Sequence, residues 1–344
     1  MNTKLIDLLE TIIAIPSPSG YDREIVPFIL EHIHSLGIKA ALTNKGAILA
    51  EIPGKSEEAI VFSAHVDTLG AMVKEIKPNG RLKVSMIGGC PWVSLDAENC
   101  EVRTSDDRRF SGTFQGTKPS VHIDGGEVAK TERNQDTTEL VLDEKVSSRE
   151  DAEKLGVSVG DFIFVDPRFT ATSNGFIKSR YLDDKASVAI LLEAMAELKD
   201  MELPNTIHFF ISTFEEVGHG ASAGTPELAR EFIAVDMGAP GNGQNSSEYD
   251  VNICAMDSTG PFDLGIRERL VNLCKDNGIP YKVDIYNFYG SDASASQRSG
   301  SDIRTGLIGA GVFASHAYER THIESMEATL RLVVEYARAG LSTQ

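Results

Sequence analysis

The sequence lacks the features that mark membrane-spanning, exported and nucleic-acid-binding proteins. No run reaches the ~18 consecutive apolar residues of a membrane helix. The N-terminal residues show no basic segment followed by an apolar one, so we expect no export by such a signal. Lysine and arginine total 33 against 51 aspartates and glutamates, with no basic stripe. The net charge of −18 argues against nucleic acid or an anionic membrane as a partner.

Cysteine is also scarce, and its spacing forms no metal or redox motif. Cys90, Cys100, Cys254 and Cys274 include no Cys-x-x-Cys pair, which indicates reduced, packed side chains in a cytoplasmic protein. The glycine-rich segment 238–243 is not followed by Gly-Lys-Ser or Gly-Lys-Thr, so it does not predict a phosphate-binding loop.

What the chain does contain indicates one large α/β domain interrupted by a smaller β-rich one. At 344 residues, with 41% hydrophobic and 24% charged residues, it has the composition of a globular protein with a sizeable core. Residues 1–71 and 175–344 alternate helical and apolar strand patterns, and Ser325 is a candidate N-cap for the last helix. Residues 72–174 contain short strands separated by turns such as Pro78-Asn79-Gly80, which predicts a small barrel or sandwich.

The first chemically suggestive pattern follows the apolar run that begins at Ala59. This run predicts a buried strand and ends in His65 and Asp67. Residues two apart on a strand point to the same side. His65 could therefore bind a metal through one ring nitrogen while Asp67 accepts a hydrogen bond from the other. Alone, the pattern is equally compatible with a histidine whose hydrogen bonds are satisfied at a strand end.

Further acids and a histidine follow other predicted strands, where an open α/β sheet places its ligand sites. These residues are Asp183, Asp184, Glu215, Glu216, Asp236 and His316. Each acid taken singly is also compatible with a helix cap or a solvated surface. Gathered in one crevice, however, the carboxylates would repel one another and raise each other's pKa values. A site for two cations resolves that conflict.

A site for two cations needs a particular set of protein ligands. Two divalent ions about 3.5–4 Å apart need about three protein ligands each, with one carboxylate shared between them. Histidine and carboxylate ligands without thiolate favour zinc, cobalt or manganese. A nearby carboxylate that is not a ligand can act as the general base for water.

The segments Ala64–Gly70, Leu182–Lys185, Glu215–Gly218 and Val235–Asp236 resemble those of the tetrahedral (TET) type metallo-aminopeptidases, a family that includes glutamyl and deblocking aminopeptidases and proteins once labelled endoglucanases. The resemblance extends over essentially the whole chain. It implies an α/β/α sandwich of the zinc-exopeptidase type with an inserted, small, β-barrel-like dimerisation domain. It also implies a cis peptide between Asp183 and Asp184.

The resemblance further implies a role for each site residue. His65, Asp183 and Asp236 would hold one metal ion, and Asp183, Glu216 and a late histidine the other. Glu215 would be the general base, and Asp67 would orient His65. Ungapped comparison of the late strand favours His316 as the last ligand, with His322 as the alternative. The usual Arg-Tyr-x-His-Ser context is absent here, and His219 replaces a common arginine as a loop residue.

The function implied is a cytoplasmic aminopeptidase that removes N-terminal residues from short peptides. It would use two divalent ions, zinc or cobalt with manganese as an alternative, and a water activated between them. The family implies a homo-oligomer, either a dimer or a tetrahedral dodecamer built from dimers. An N-acyl deacylase, a carboxypeptidase or a glucanase on the same scaffold, and a non-catalytic oligomeric scaffold, remain alternatives. Ser291-Asp292 is a candidate for shaping the pocket or an ordinary polar turn.

Overall fold

A computed structural model describes residues 3–342, which form helices and strands in alternation over most of the chain. The α-helices are α1 (Thr3–Ala14), α2 (Ile25–Ser35), α3 (Val121–Asp124), α4 (Glu127–Lys130), α5 (Arg149–Lys154), α6 (Leu182–Leu198), α7 (Leu264–Asp276), α8 (Asp292–Arg298) and α9 (Ile323–Ala339). In the part of the chain that the structure describes, no helix is both long enough and apolar enough to cross a membrane.

The strands belong to a large central sheet, a small three-stranded sheet and a barrel. They are β1 (Lys39–Leu42), β2 (Ile48–Ile52), β3 (Ser56–His65), β4 (Gly70–Ile76), β5 (Leu82–Ile87), β6 (Asn99–Arg103), β7 (Arg109–Gly116), β8 (Thr138–Leu142), β9 (Phe162–Val165), β10 (Thr170–Ala171), β11 (Phe176–Ser179), β12 (Asn205–Ser212), β13 (Ala229–Gly238), β14 (Val251–Asp257), β15 (Gly260–Pro261), β16 (Tyr281–Ile285), β17 (Arg304–Gly311) and β18 (Glu319–His322).

The chain divides into two compact units. The larger contains the described residues up to Thr68 and from Arg168 onward, and the smaller is Leu69–Pro167. The boundary at which the chain returns to the larger unit lies between residues 167 and 168. The sequence pattern grouped residues 168–174 with the β-rich segment instead. The reason is that β10 pairs with β11, which in turn pairs with β18 of the larger unit.

The larger unit is built on a nine-stranded sheet in the order β1-β2-β12-β3-β13-β17-β14-β15, with β16 beside β14. Its centre is parallel, since β3 pairs in parallel with both β12 and β13, and β13 with β17. The carboxyl ends of these four neighbouring strands therefore meet at one edge of the sheet.

Both faces of the central strands are buried, as their continuous apolar sequences predict. On β3, Ile60 and Phe62 pack into the core formed with α1, α2, α6 and α9, whereas Val61 faces a second core on the opposite side. On β13, Ile233 packs into the first core and Phe232 into the second. Helix α6 packs between the sheet and both α1 and α9, which fixes the start of α6 against the end of β3.

The expectation that Ser325 caps the last helix is wrong. Helix α9 begins at Ile323, and the N-cap is His322, whose Nδ1 accepts a hydrogen bond from the backbone N–H of Glu324 at 3.2 Å. The Ser325 hydroxyl is engaged elsewhere, because it accepts a hydrogen bond from the N–H of Gly311 at 2.8 Å. A tertiary contact thus takes precedence over the local preference of serine for helix starts.

The smaller unit is a closed antiparallel barrel in the order β4-β5-β8-β7-β6-β9. The turn at Pro78-Asn79-Gly80 joins β4 to β5, with Gly80 at a φ of +78°, as its composition predicts. Val84, Val102 and Phe114 are among the residues that fill the interior. The predicted combination of an α/β domain and a small barrel is confirmed.

Candidate active site

The predicted acidic and histidine residues lie at the carboxyl edge of the parallel strands. His65 is the last residue of β3, Asp236 lies near the end of β13, and Glu215 and Glu216 form a short turn after β12. His316 follows β17, and Asp183 lies at the start of α6. Strands β3, β12, β13 and β17 end at the same edge because they are parallel, and α6 begins beside the end of β3. Segments distant in sequence therefore deliver their side chains to one place.

The first group consists of His65, Asp183 and Asp236. One potential ligand atom from each lies within 4.8 Å of the others, and all three side chains are buried. His65 Nε2 is 3.3 Å from Asp183 Oδ1. It is also 3.7 Å from Glu215 Oε2, so Glu215 lies beside this group without belonging to it.

The second group consists of Asp183, Glu216 and His316, again with ligand atoms within 4.8 Å of one another. His316 Nε2 lies 3.5 Å from Asp183 Oδ2 and 3.6 Å from Glu216 Oε2. Asp183 is therefore common to both groups, and it directs one carboxylate oxygen toward each. This is the arrangement that a carboxylate needs in order to bridge two cations.

The acidic groups of the site are buried close to one another, and both conditions oppose their ionisation. Burial and the neighbouring acids raise the pKa values of Glu215 and Glu216 well above the usual range and that of Asp236 to about 7. Burial also opposes ionisation of Asp183, but the adjacent histidines lower its pKa below the usual range. For His65, burial alone would lower the pKa, whereas Asp183 and Glu215 raise it. Groups whose titration is so strongly altered by one another typically form functional sites.

The residues present fit divalent cations. Two imidazoles and three carboxylates without thiolate are ligands typical of zinc, cobalt or manganese. Glu216 Oε1 is buried without a hydrogen-bond partner, an arrangement that is unfavourable unless a cation compensates it. Four carboxylates, namely Asp183, Glu215, Glu216 and Asp236, would be balanced in charge by two divalent ions.

The side chain of Asp67 has different hydrogen-bond partners from those that the sequence predicted. His65 Nδ1 lies 2.9 Å from the backbone carbonyl oxygen of Asp67, whereas the nearer carboxylate oxygen is 3.7 Å away. The Asp67 carboxylate instead accepts hydrogen bonds from the backbone N–H groups of Glu215, at 3.0 Å, and Glu216, at 3.3 Å. Asp67 thus contacts His65 through its main chain and holds the two glutamates through its side chain.

The peptide between Asp183 and Asp184 is cis, as the resemblance implies. Asp184 is fully buried and does not belong to either ligand group. Its Oδ2 accepts a hydrogen bond from the backbone N–H of His65 at 3.1 Å, which links the start of α6 to the end of β3.

Three other predicted residues lie outside the two groups. His322 Nε2 lies 2.9 Å from the carbonyl oxygen of Asn174, and its Nδ1 caps α9, so both ring nitrogens face other partners. His219 stacks on Phe214 with ring centroids 5.2 Å apart. Asp292 is buried and accepts a hydrogen bond from the N–H of Ala221 at 2.7 Å, so it stabilises the turn after Glu216.

Two residues near the groups were not singled out from the sequence. The Tyr289 hydroxyl donates a hydrogen bond to Asp236 Oδ1 at 2.5 Å. Glu319 accepts hydrogen bonds from the backbone N–H groups of Asp183 and His316. Neither residue belongs to a local motif, although Glu319 lies only three positions after His316, where a buried acid could have been suspected.

A cavity of about 700 Å³ opens onto the two groups. Its floor includes Asp183, Glu215, Glu216, Asp236 and His316. Its walls come from the segment after β13 and from the loop that contains Tyr289. The volume is suited to a small molecule or the end of a peptide.

Comparison with known proteins identifies this arrangement. Residues 46–332 match the family model of the M42 glutamyl aminopeptidases. The chain belongs to this M42 family. It is therefore a peptide hydrolase of a metal-dependent family, and its two groups of ligand-type residues form a candidate metal site.

Relatives of this M42 protein carry aminopeptidase names. YhfE of Bacillus subtilis (strain 168), provisionally named an aminopeptidase, is 46% identical over 98% of both chains. The lysyl aminopeptidase of Pyrococcus furiosus is 25% identical over 95% of this chain and 94% of the relative. The glutamyl aminopeptidase of Lactococcus lactis subsp. cremoris is 26% identical over 68% of this chain and 66% of the relative.

Solved structures show the same fold. The Pyrococcus horikoshii TET1 peptidase, which can assemble into a tetrahedron or a large octahedral shell, superposes with a TM-score of 0.86 at 26% identity, over 97% of this chain and 99% of that one. The TET aminopeptidase of a marine sediment archaeon of the Thaumarchaeota gives a TM-score of 0.89 at 22% identity, over 97% of both chains.

Proposed function

We propose that this M42 protein is a dinuclear metallo-aminopeptidase that removes the first residue from peptides with a free amino terminus. The observation that carries the proposal is the shared position of Asp183 between two ligand groups, with Glu215 beside them but in neither. His65 and Asp236 would complete one metal site with Asp183. Glu216 and His316 would complete the other.

The protein residues have separate tasks in hydrolysis. When bound, the metal ions supply Lewis acidity, which polarises the peptide carbonyl and lowers the pKa of water. Glu215 takes the proton of the attacking water and gives it to the leaving amine, as a general base and then a general acid. Asp67 keeps Glu215 and Glu216 in place through their backbone N–H groups.

The lining of the cavity supports an amino terminus as the end of the peptide that binds. A terminal carboxylate finds no lysine or arginine among the described residues that line the cavity, whereas an α-amino group can contact a carboxylate such as that of Glu215, which belongs to neither ligand group. A carboxypeptidase would need such a cation, so the lining favours an aminopeptidase over this alternative.

We further propose that the larger unit is the catalytic domain and the smaller one the dimerisation domain of a cytoplasmic homo-oligomer. The P. horikoshii relative assembles into closed shells. On the smaller unit, the apolar side chains of Val93, Val121 and Ile123 are 72%, 66% and 85% exposed, so they are available for a contact between subunits. Light scattering of the purified protein would determine whether it is a monomer, a dimer or a dodecamer.

The experiment that tests the proposed activity is hydrolysis of aminoacyl p-nitroanilides by chelated protein before and after addition of zinc, cobalt or manganese. N-acetylated versions of the same substrates are the control. Activity that is restored by metal and confined to free amino termini would support the proposal. Release of acetate from the acetylated compounds, without hydrolysis at free amino termini, would favour an N-acyl deacylase. Failure to bind any metal would refute the dinuclear site.

A further inference from the structure

The walls of the cavity differ in chemistry from its acidic floor. Six wall residues are apolar or aromatic, namely Met237, Ala239, Pro240, Tyr286, Phe288 and Tyr289. Phe288 is fully exposed, so its ring offers apolar surface that a bound molecule can cover. The part of the cavity away from the ligand groups is therefore suited to an apolar group.

Three polar side chains of these walls have hydrogen-bond partners within the protein. The Tyr289 hydroxyl donates to Asp236, and the Tyr286 hydroxyl lies 2.6 Å from Ser246 Oγ. The side-chain amide of Gln244 donates to the carbonyl oxygen of Ile285 at 2.9 Å. Tyr286 and Tyr289 both line the cavity, and their ring centroids lie 5.4 Å apart.

Charge gives the second part of the argument. No lysine or arginine of residues 3–342 lines the cavity, and every aspartate or glutamate that lines it already belongs to the floor around the two ligand groups. The ammonium of Lys45 is held by the carbonyl oxygen of Gly220 at 2.7 Å. Arg298, at the end of α8, is exposed and is not among the lining residues, although its Nη2 would lie 4.0 Å from a Cβ added at Gly290, which does line the cavity. A glutamyl side chain would thus meet no cation among the described lining residues. A lysyl side chain would meet only the carboxylates of the floor, which we propose are engaged by the metal ions and the α-amino group.

We propose that the site selects peptides whose first residue is uncharged and apolar or aromatic, and that Phe288 contacts this side chain. The inference rests on the proposed aminopeptidase function. Two relatives of this chain are named lysyl and glutamyl aminopeptidase. A charged side chain of either kind is bound best where a residue of opposite charge faces it. An apolar side chain covers aromatic surface on these walls, whereas a charged one finds no partner there. Apolar side chains of different size differ only modestly in such a pocket.

The test compares leucyl, phenylalanyl, glutamyl and lysyl p-nitroanilides on the metal-loaded protein. We expect kcat/KM for the leucyl and phenylalanyl substrates to exceed that for the charged substrates by at least about 10-fold. Phe288→Ala should raise KM for both apolar substrates with little change in kcat. Leu264→Ala removes a half-exposed apolar side chain outside the cavity and should change neither value.

A charge introduced into the wall should redirect the preference. Asn287 is exposed and lines the cavity. Asn287→Lys should raise kcat/KM for the glutamyl substrate, and Asn287→Asp should raise that for the lysyl substrate. The same changes at Asn277, an exposed residue outside the cavity, are the control.

A binding measurement can test the proposed side-chain preference even if the proposed aminopeptidase activity is wrong. Calorimetry of metal-loaded Glu215→Gln with leucinamide, glutamic acid 1-amide and lysinamide reports the pocket preference even where no substrate is hydrolysed. Tighter binding of leucinamide supports the inference. Tighter binding of either charged amide overturns the inference. If glutamic acid 1-amide binds more tightly than leucinamide and Arg298→Ala removes this difference, Arg298 is the residue that binds the glutamyl carboxylate.

Discussion

The Glu319 carboxylate accepts a hydrogen bond from the backbone N–H of His316 at 2.9 Å. Its other oxygen accepts one from the N–H of Asp183 at 3.1 Å. Glu319 is 2% exposed, and His316 has a φ of +65°, a conformation that costs free energy unless its surroundings stabilise it. One buried side chain therefore fixes the main chain of two residues in the second ligand group.

We predict that Glu319→Gln weakens metal binding. The amide keeps one acceptor oxygen but points an NH₂ group at a backbone N–H, so one of the two main-chain hydrogen bonds is lost. Loss of such supporting contacts typically reduces metal affinity about 10- to 100-fold. Titration against a chelator of known affinity measures this effect. Glu324→Gln, an exposed change in the same region, is the control, and equal affinity in both variants would contradict the prediction.

Replacing Glu215 with glutamine should separate metal binding from turnover. Glu215 belongs to neither ligand group, so both ions should remain bound. Without the general base, kcat should fall by about 10²- to 10⁴-fold. Metal analysis and steady-state kinetics on the same preparation provide the measurement. Glu216→Gln should instead lose an ion, and retained activity in Glu215→Gln would cancel the assignment of the base.

The two late histidines should respond differently to alanine. His316→Ala should release one metal ion because its Nε2 faces Asp183 and Glu216. His322→Ala should keep both ions but destabilise the protein by about 1–3 kcal/mol, since it removes the N-cap of α9 and the contact of Nε2 with the carbonyl oxygen of Asn174. Metal content and thermal unfolding measured together distinguish these effects. Loss of an ion from the His322 variant would reverse the assignment.

Stabilisation by metal should increase with pH. Burial and neighbouring acids raise the pKa values of Glu215, Glu216 and Asp236, the last to about 7. The folded apoprotein thus binds these protons more tightly than the unfolded chain, and its unfolding free energy falls as pH rises toward those pKa values. The pKa of Asp183 is lowered, so this group opposes the trend, whereas the pKa values of Asp184 and Glu319 are also raised and add to it.

Metal ions replace these protons, so they remove the penalty at higher pH. We expect the rise in Tm caused by zinc to be larger at about pH 8 than at about pH 5.5. Potassium chloride at equal ionic strength controls for general screening of charge. A shift in Tm that is the same at both pH values would show that these carboxylates do not bind the ion.

The central strands and the metal-type residues could be predicted because their signals are local. The apolar run before His65 becomes β3, and the runs before Glu215 and Asp236 become β12 and β13. Parallel pairing then dictates that the residues after these strands converge. The assignment of a role to each residue remains a proposal, although the structure brings together the same five side chains that the sequence suggested.

Other parts of the site could not be predicted, since they depend on contacts between distant segments. Tyr289 reaches Asp236 from a loop whose path depends on β16 and α8. The Asp67 carboxylate accepts a hydrogen bond from the backbone N–H of Glu215 and lies farther from His65. This contact depends on how the segment after β12 packs against the segment after β3. Strands β7 and β8 were likewise not identified, because polar residues and glycine interrupt the first and a charge-rich segment precedes the second.

The parallel arrangement of β12, β3, β13 and β17 has a kinetic consequence for the refolding of the chain. The ligand-type residues extend from position 65 to position 316, so no short fragment holds either complete group. Contacts between such distant positions form slowly, because long loops must close before any favourable contact compensates for the lost entropy. Uptake of metal during refolding should therefore coincide with completion of the central sheet rather than with the early appearance of helices.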